Sequence, residues 1–174
     1  MGVTHFCVLL ANYYSSVCRE KTALLEWNSH FDFTRIETLC IKKKSIKKSF
    51  EIYDIDFYKD ADAQILLYCM DQHYDKVIID FGVINKQIEI EFLRCSSKYL
   101  IGSLSEWQFY AFWDFVREHQ LMKESWKYLF TFGSEETRRE LERKIKMPLI
   151  RIPFSVDAFT IHYKLMLWFQ QLLD

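Results

Sequence analysis

Lys76-Val77-Ile78-Ile79-Asp80-Phe81-Gly82 reads as a short apolar strand that stops abruptly at an acid and then a glycine. A continuous apolar run of this length is how a parallel strand looks when helices cover both of its faces. Ligands of open α/β sheets sit beyond the carboxyl ends of such strands. The run therefore places Asp80 where chemistry would occur.

The neighbouring sequence fits the same scheme. Residues 4–19 carry Phe6, Leu9, Leu10, Tyr13, Tyr14 and Val17 close to helical spacing. Residues 22–27 read as a strand, and 31–39 as a short helix or loop. A lysine-rich run, 42–48, leads into one alternating strand over 50–57. Asp60 and Asp62 suit a helix N-terminus, which predicts a helix to about residue 72. Beyond Gly82, helices are expected over 86–95, 106–119, 135–146 and 157–173. The second of these would open with a Ser103-x-x-Glu106 capping box. Strands are expected over 99–104, 126–132 and 149–152. This alternation predicts a single α/β domain over residues 1–174, with a three-layer, doubly wound, mainly parallel sheet and right-handed crossovers.

Composition sets outer bounds. A chain of 174 residues is long enough for one full-sized core, and 50% hydrophobic residues with 17% aromatics supply it. Only 4 Gly and 2 Pro leave little room for linkers. The 23 basic and 24 acidic residues give a net charge of −1, so the total carries no nucleic-acid footprint. The cysteines (Cys7, Cys18, Cys40, Cys69, Cys95) are odd in number and contain no Cys-x-x-Cys. They are expected to be small buried hydrophobes in a reducing compartment, with neither a disulfide nor a zinc site. No apolar run reaches membrane-span length and the start lacks a signal peptide's pattern, so a cytoplasmic location is expected.

Gly2-Val3-Thr4-His5 opens the first helix, where phosphate-binding loops use free N–H groups and the helix dipole. A working loop of that kind needs glycines, a lysine on the phosphates and a hydroxyl on magnesium. His5 stands at the lysine's place and is largely neutral at pH 7. Phe6 stands at the hydroxyl's place.

Taken in order, these pieces resemble the ParA/MinD-like ATPases, the deviant P-loop family of partition, septum-site and pilus-assembly localisation proteins. Residues 2–6 resemble the tail of the family's Gly-Val-Gly-Lys-Thr. Leu24-Leu25-Glu26-Trp27-Asn28 resembles its Asp-x-Asp strand end. Residues 77–82 resemble its Walker B and switch II segment. Residues 103–106 sit where a Pro-Glu pair often occurs, and Ile152-Pro153-Phe154 resembles a late strand end. The resemblance implies a P-loop NTPase-like fold. It implies ATP and Mg2+ as cofactors where the pocket functions, with Asp80 on a magnesium-bound water. The implied nucleotide set is vestigial: Gly2, Val3, Thr4, His5, Glu26, Asn28, Asp80 and Gly82. The family's first strand, most of its loop and its signature lysine have no counterpart. Asn28 replaces the second acid, and no adenine-reading Asn is evident at 130–133. In character the chain resembles the degenerate pilus-assembly localisers.

Two further features stand out. Lys42, Lys43, Lys44, Lys47 and Lys48 form a basic patch that a balanced net charge favours as a solvated loop. Trp107 and Tyr110 fall off the buried stripe of their helix and are candidates for a partner interface. No Cys/His or Ser/His arrangement is distinguished by motif, so no catalytic residue and no metal ligand are assigned. The expected function is a non-catalytic or weakly catalytic P-loop NTPase-like scaffold for binding or localisation, which associates with itself or with a protein partner. One alternative is a nucleotide-binding switch completed by residues upstream of Met1. The other is a DNA- or lipid-binding module that uses Lys42, Lys43, Lys44, Lys47 and Lys48.

Overall fold

The computed structural model describes residues 2–42, 46–118 and 125–174. Along the chain the elements are α1 (Val3–Asn12), a π-helical turn (Tyr13–Cys18), β1 (Thr22–Glu26), α2 (Asp32–Ile41), β2 (Ser49–Ile52), β3 (Ile55–Tyr58), α3 (Ala63–Asp71) and β4 (Lys76–Asp80). They continue with α4 (Glu89–Arg94), β5 (Tyr99–Gly102), α5 (Phe109–Glu118), β6 (Lys127–Phe130), α6 (Glu135–Ile145), β7 (Leu149–Arg151) and α7 (Tyr163–Leu173). The chain forms two compact units, residues 3–85 with 155–174, and residues 86–154 with Gly2.

In the larger unit the strand order is β2-β3-β1-β4. β1 runs parallel to both β3 and β4, and β2 is antiparallel to β3. The smaller unit has the order β5-β6-β7, all parallel. The expected mainly parallel α/β architecture is present, with its strands divided between two sheets.

All five residues of β1 are buried. Side chains alternate along a strand, so Leu24 and Ile78 fall on one face with Cys7, Val8 and Ala11 of α1 and Phe33 of α2. Ala23, Leu25, Val77 and Ile79 fall on the other with Ile65, Leu66 and Cys69 of α3. Helices on both faces explain why β1 and β4 read as unbroken apolar runs. Each fully buried Leu contributes about 1.5–3 kcal/mol. A buried ion pair also joins sheet and helix, with Lys59 Nζ 2.7 Å from Glu37 Oε2 on α2. In the smaller unit Gly102 ends β5 directly under Phe112 of α5. A Cβ there would lie 2.4 Å from the ring, so only glycine lets the helix approach this closely.

Several boundaries differ from expectation. Residues 50–57 are not one strand but the hairpin β2–β3, turned at Tyr53 and Asp54 with φ of 50° and 61°. Ser15 Oγ holds this turn by donating to Tyr53 O at 3.1 Å. α5 begins at Phe109, later than the capping-box reading, because Ser103 Oγ pairs with Ser105 Oγ at 3.2 Å instead of the Glu106 backbone. α7 begins at Tyr163 and not at 157. Asp157 is used up in a loop, bonding Phe159 N at 2.9 Å and Thr160 Oγ1 at 2.5 Å, and His162 Nδ1 caps the helix by accepting from Leu165 N at 3.2 Å. The π-helical turn moves Val17 out of the apolar stripe to an exposed position while Tyr13 stays buried. Cys7 and Cys69 are buried, but Cys18 and Cys40, on outward turns, are exposed. All five cysteines are free.

A two-residue hairpin turn with both φ positive favours glycine, and Asp54 bears the strain of a Cβ there. Asp54→Gly is expected to stabilise the protein by roughly 0.5–1 kcal/mol, read as a higher midpoint in urea denaturation. A lower midpoint would show that the Asp54 side chain holds the turn in some other way.

Candidate functional site

The carboxyl ends of β1 and β4 lie side by side, with Glu26 opposite Asp80 in the ladder. The chain leaves β1 through Trp27, whose N–H donates to Asp80 O at 2.9 Å, and the Asn28 amide donates to the same oxygen at 2.9 Å. Asn28 Oδ1 in turn accepts from His30 N at 2.9 Å. Asn28 is therefore a splice between two strand ends. Gly82 completes the arrangement. Its φ is +62°, its N–H donates to Asp80 Oδ1 at 2.9 Å, and a Cβ on it would come 3.1 Å from both Asn28 Cβ and His30 Cε1.

Glu26 is buried. Its Oε1 accepts from Asp32 N at 2.6 Å and Phe33 N at 3.1 Å, the first amides of α2. Helix N-termini leave such N–H groups unbonded, and a carboxylate there meets both the donors and the dipole. Burial still raises the Glu26 carboxyl above its usual range. The two amides pull it back, and the charges of Asp32 and Asp80 add to the rise.

Asp80 is fully buried, and its Oδ2 accepts no hydrogen bond among the described residues. The nearby Thr4 hydroxyl, at the start of α1, donates to Asp32 Oδ2 at 3.3 Å. Burial raises the Asp80 carboxyl, and the Asp32 charge acts in the same direction. Thr4, the Gly82 N–H and His30 partly offset this. Asp32 also bonds Arg35, Oδ1 to Nη1, at 2.7 Å. The site is thus acid-lined, and the Asp32–Arg35 ion pair sits at its exposed rim.

His5 lies one residue beyond Thr4 on α1, with Nε2 buried and unbonded. Burial lowers its pKa, against the opposing pull of Asp157. Phe6 faces the core, its ring centroid 6.4 Å from that of Trp168 and 6.2 Å from that of Phe169 on α7. At Gly2 a Cβ would meet nothing within 4 Å. Among the described residues no group of three or more His, Cys, Asp or Glu is arranged to hold a metal ion.

Of the residues singled out from sequence, the structure brings together Thr4, Glu26, Asn28, Asp80 and Gly82. Val3 and His5 sit on the same first helical turn. Asp32 and His30 were missed. The available signal was Glu26 placed six and seven residues before two free helix amides, a long-range cap that no local motif reports. Trp107 is 80% exposed and Tyr110 61% exposed in the smaller unit, away from this site in sequence. Lys42, Lys47 and Lys48 are exposed, and Lys43 and Lys44 lie outside the described residues.

A carboxyl that protonates more easily folded than unfolded destabilises the fold once ionised, so stability falls as pH rises above the ordinary aspartate range. Asp80→Asn is expected to raise the Tm at pH 7, and the gain should vanish as the pH falls to the ordinary aspartate range. Thermal scans of both proteins at pH 7 and in that range test this. A lower Tm for the variant at pH 7 would assign the Asp80 charge a stabilising role.

No family model matches the chain, and no curated protein matches it. Solved structures do. A plasmid partition protein from Borrelia burgdorferi aligns with a TM-score of 0.60 and 14% identity over 97% of this chain and 92% of that one. A ParA family ATPase from Chlorobium tepidum TLS gives 0.59 and 12% over 89% and 81%. The MinD-containing MinC:MinD cell division complex of Aquifex aeolicus gives 0.55 and 11% over 86% and 76%. A further Borrelia burgdorferi plasmid partition protein, solved with AMPPNP bound, gives 0.58 and 15% over 99% and 92%. The ends of β1 and β4, where Glu26 meets Asp80, therefore belong to a chain with a ParA/MinD-like fold.

Proposed function

We propose that this chain is a binding or localisation scaffold built on a ParA/MinD-like fold, with little or no nucleotide turnover. The observation that carries the reading is the state of the two positions after Thr4. His5 occupies the place of a phosphate-binding lysine, but its Nε2 is buried and unbonded, and burial lowers its pKa and so favours the neutral imidazole. Phe6 occupies the place of a magnesium-binding hydroxyl and is packed in the core. Around them Glu26, Asp32 and Asp80 add negative charge, which repels phosphates. Thr4, Glu26, Asn28, Asp80 and Gly82 then serve as the frame of a strand-end junction, with Val3 and His5 on the adjoining first turn of α1. The family's single domain, cytoplasmic residence and a solvated lysine loop complete the proposal.

Protein association is the natural use of such a frame. One structural neighbour is itself a complex of two proteins, MinC with MinD. In this chain Trp107 and Tyr110 offer exposed aromatic anchors of the type that dominates interface energetics.

A second reading, a nucleotide-binding switch, is favoured by a different observation. Asp80 Oδ2 is buried without a hydrogen bond, as a group awaiting a ligand would be. With Mg2+ and ATP present, Asp80 would hold a magnesium-bound water, and the α1 N-terminus with Thr4 would face the phosphates.

The Tm with and without millimolar Mg-ATP and Mg-ADP separates the two. A ligand that binds only the folded state raises the Tm by mass action, about 2.7 kcal/mol at a hundredfold excess over Kd. No shift is expected. A clear rise that disappears in Asp80→Ala would establish the switch.

A further inference from the structure

α2 is held to the larger unit by its first two turns. Phe33 and Ile36 pack on the core, and Glu37 is buried against Lys59. After Glu37 the helix runs out into solvent. Thr38, Leu39, Cys40, Ile41 and Lys42 are all exposed, and so are Ile46, Lys47 and Lys48 in the connection to β2. Leu39 and Ile41 stand about 200° apart around the helix, so the last turn is uncovered on opposite sides. Leu39 is 80% exposed and Ile46 fully exposed, which is far from where aliphatic side chains usually rest.

Charge in this stretch is of one sign. Between Glu37 and Glu51 the sequence has Lys42, Lys43, Lys44, Lys47 and Lys48 and no acid. The whole chain carries −1, so the remainder is net negative. A chain polarised in this way meets an anionic surface with this end and is repelled by it elsewhere. The aliphatic side chains narrow the choice of surface. Nucleic acid is gripped by lysines with aromatic rings or hydrogen-bonding groups, and it offers leucine and isoleucine little to bury against. A bilayer takes both kinds of residue, lysines at the anionic headgroups and aliphatic chains in the hydrocarbon just beneath.

We propose that the end of α2 and the connection after it form a peripheral docking surface for anionic lipid. Leu39, Ile41 and Ile46 insert shallowly among the acyl chains, and Lys42, Lys47 and Lys48 meet the headgroup phosphates. Neither signal suffices alone. A few aliphatic side chains at an interface bind weakly, and attraction to lysines fades with salt, but the two together give stable, reversible attachment. The inference rests on the localisation reading above and gives it an address. α2 has 10 residues and so spans about 15 Å, with the strand-end junction at its start and the docking surface at its far end. A membrane-bound chain therefore keeps that junction clear of the bilayer.

Co-sedimentation of the 174-residue chain with lipid vesicles tests this. Vesicles of phosphatidylcholine mixed with phosphatidylglycerol should carry the protein down, and phosphatidylcholine alone should not. Lys42→Gln with Lys48→Gln should weaken partitioning about thirtyfold, and added salt should weaken it in the same direction. Leu39→Ser with Ile46→Ser should weaken it at least roughly tenfold with the charge unchanged. These four side chains are exposed, so an unchanged Tm shows that the fold is kept. Should either pair lower the Tm, Ile46→Ser and Lys48→Gln alone decide. The proposal is overturned if neither vesicle binds, if both bind alike, or if loss of the two aliphatic side chains changes nothing. It is likewise overturned if the chain binds duplex DNA more tightly than the anionic vesicles, with no dependence on Leu39 and Ile46. A Tm shift with Mg-ATP would sink the scaffold reading and leave the vesicle result untouched, so the two fail separately.

Discussion

A strand that hydrogen-bonds on both edges and is covered on both faces has no solvent for any of its atoms. β1 is in that position, and its last residue is an acid. The fold reconciles the two by aiming Glu26 at the first amides of α2, at 2.6 and 3.1 Å. That one carboxylate fixes where α2 starts. It thereby brings Asp32 to the mouth of the strand ends and gives Thr4 of α1 a partner. The opposite acid, Asp80, is bound to the same junction through its backbone oxygen, shared by Trp27 and Asn28. Removing the Glu26 carboxylate would therefore unfasten a helix, a loop and a neighbouring strand end together.

The consequence for chemistry is a site whose polar groups mostly satisfy one another. Asn28 and Gly82 are occupied with backbone, Asp32 with Arg35 and Thr4. Among the described residues, what remains open here is small, one oxygen of Asp80 and one nitrogen of His5. Neither is charged in a way that attracts a polyphosphate. Two acids pushed upward by burial are also a standing cost to stability at neutral pH, of the kind retained where a ligand or a neighbour is to be met.

Elements were legible where one strong local signal sufficed. β1 and β4 show as unbroken apolar runs because both their faces are covered, and α3 and α6 open at Asp62 and Ser134, whose side chains accept from Ile65 N and Thr137 N. The β2–β3 hairpin was hidden because Phe50, Ile52, Ile55 and Phe57 are all buried, and its turn, Tyr53-Asp54, lacks the Asn-Gly signature of such bends. The start of α7 was misplaced because Asp157 looks like a cap and spends its oxygens within its own loop. At the site, the residues at strand ends were found because topology alone places ligands there. Asp32 was not, because only the distant Glu26 carboxylate defines its position.

The π-helical turn after α1 has a consequence of its own. Ser16 Oγ bonds back to Asn12 O at 2.6 Å, and Glu20 N reaches Tyr14 O at 3.0 Å, so the widened turn is secured at both ends. It acts as a phase shifter. Ahead of it, the helix is keyed to the sheet through Cys7, Val8 and Ala11. Within it, Tyr13 is keyed to Phe169 of α7, ring centroids 4.9 Å apart, a ring that Phe6 of α1 also meets, and Tyr14 is keyed to Lys76 of β4. One continuous helix thus meets the sheet, α7 and the start of β4. In such a helix the number of residues matters more than their identity: a substitution at Val17 is absorbed by solvent, whereas losing one residue would rotate one set of contacts out of register with the other.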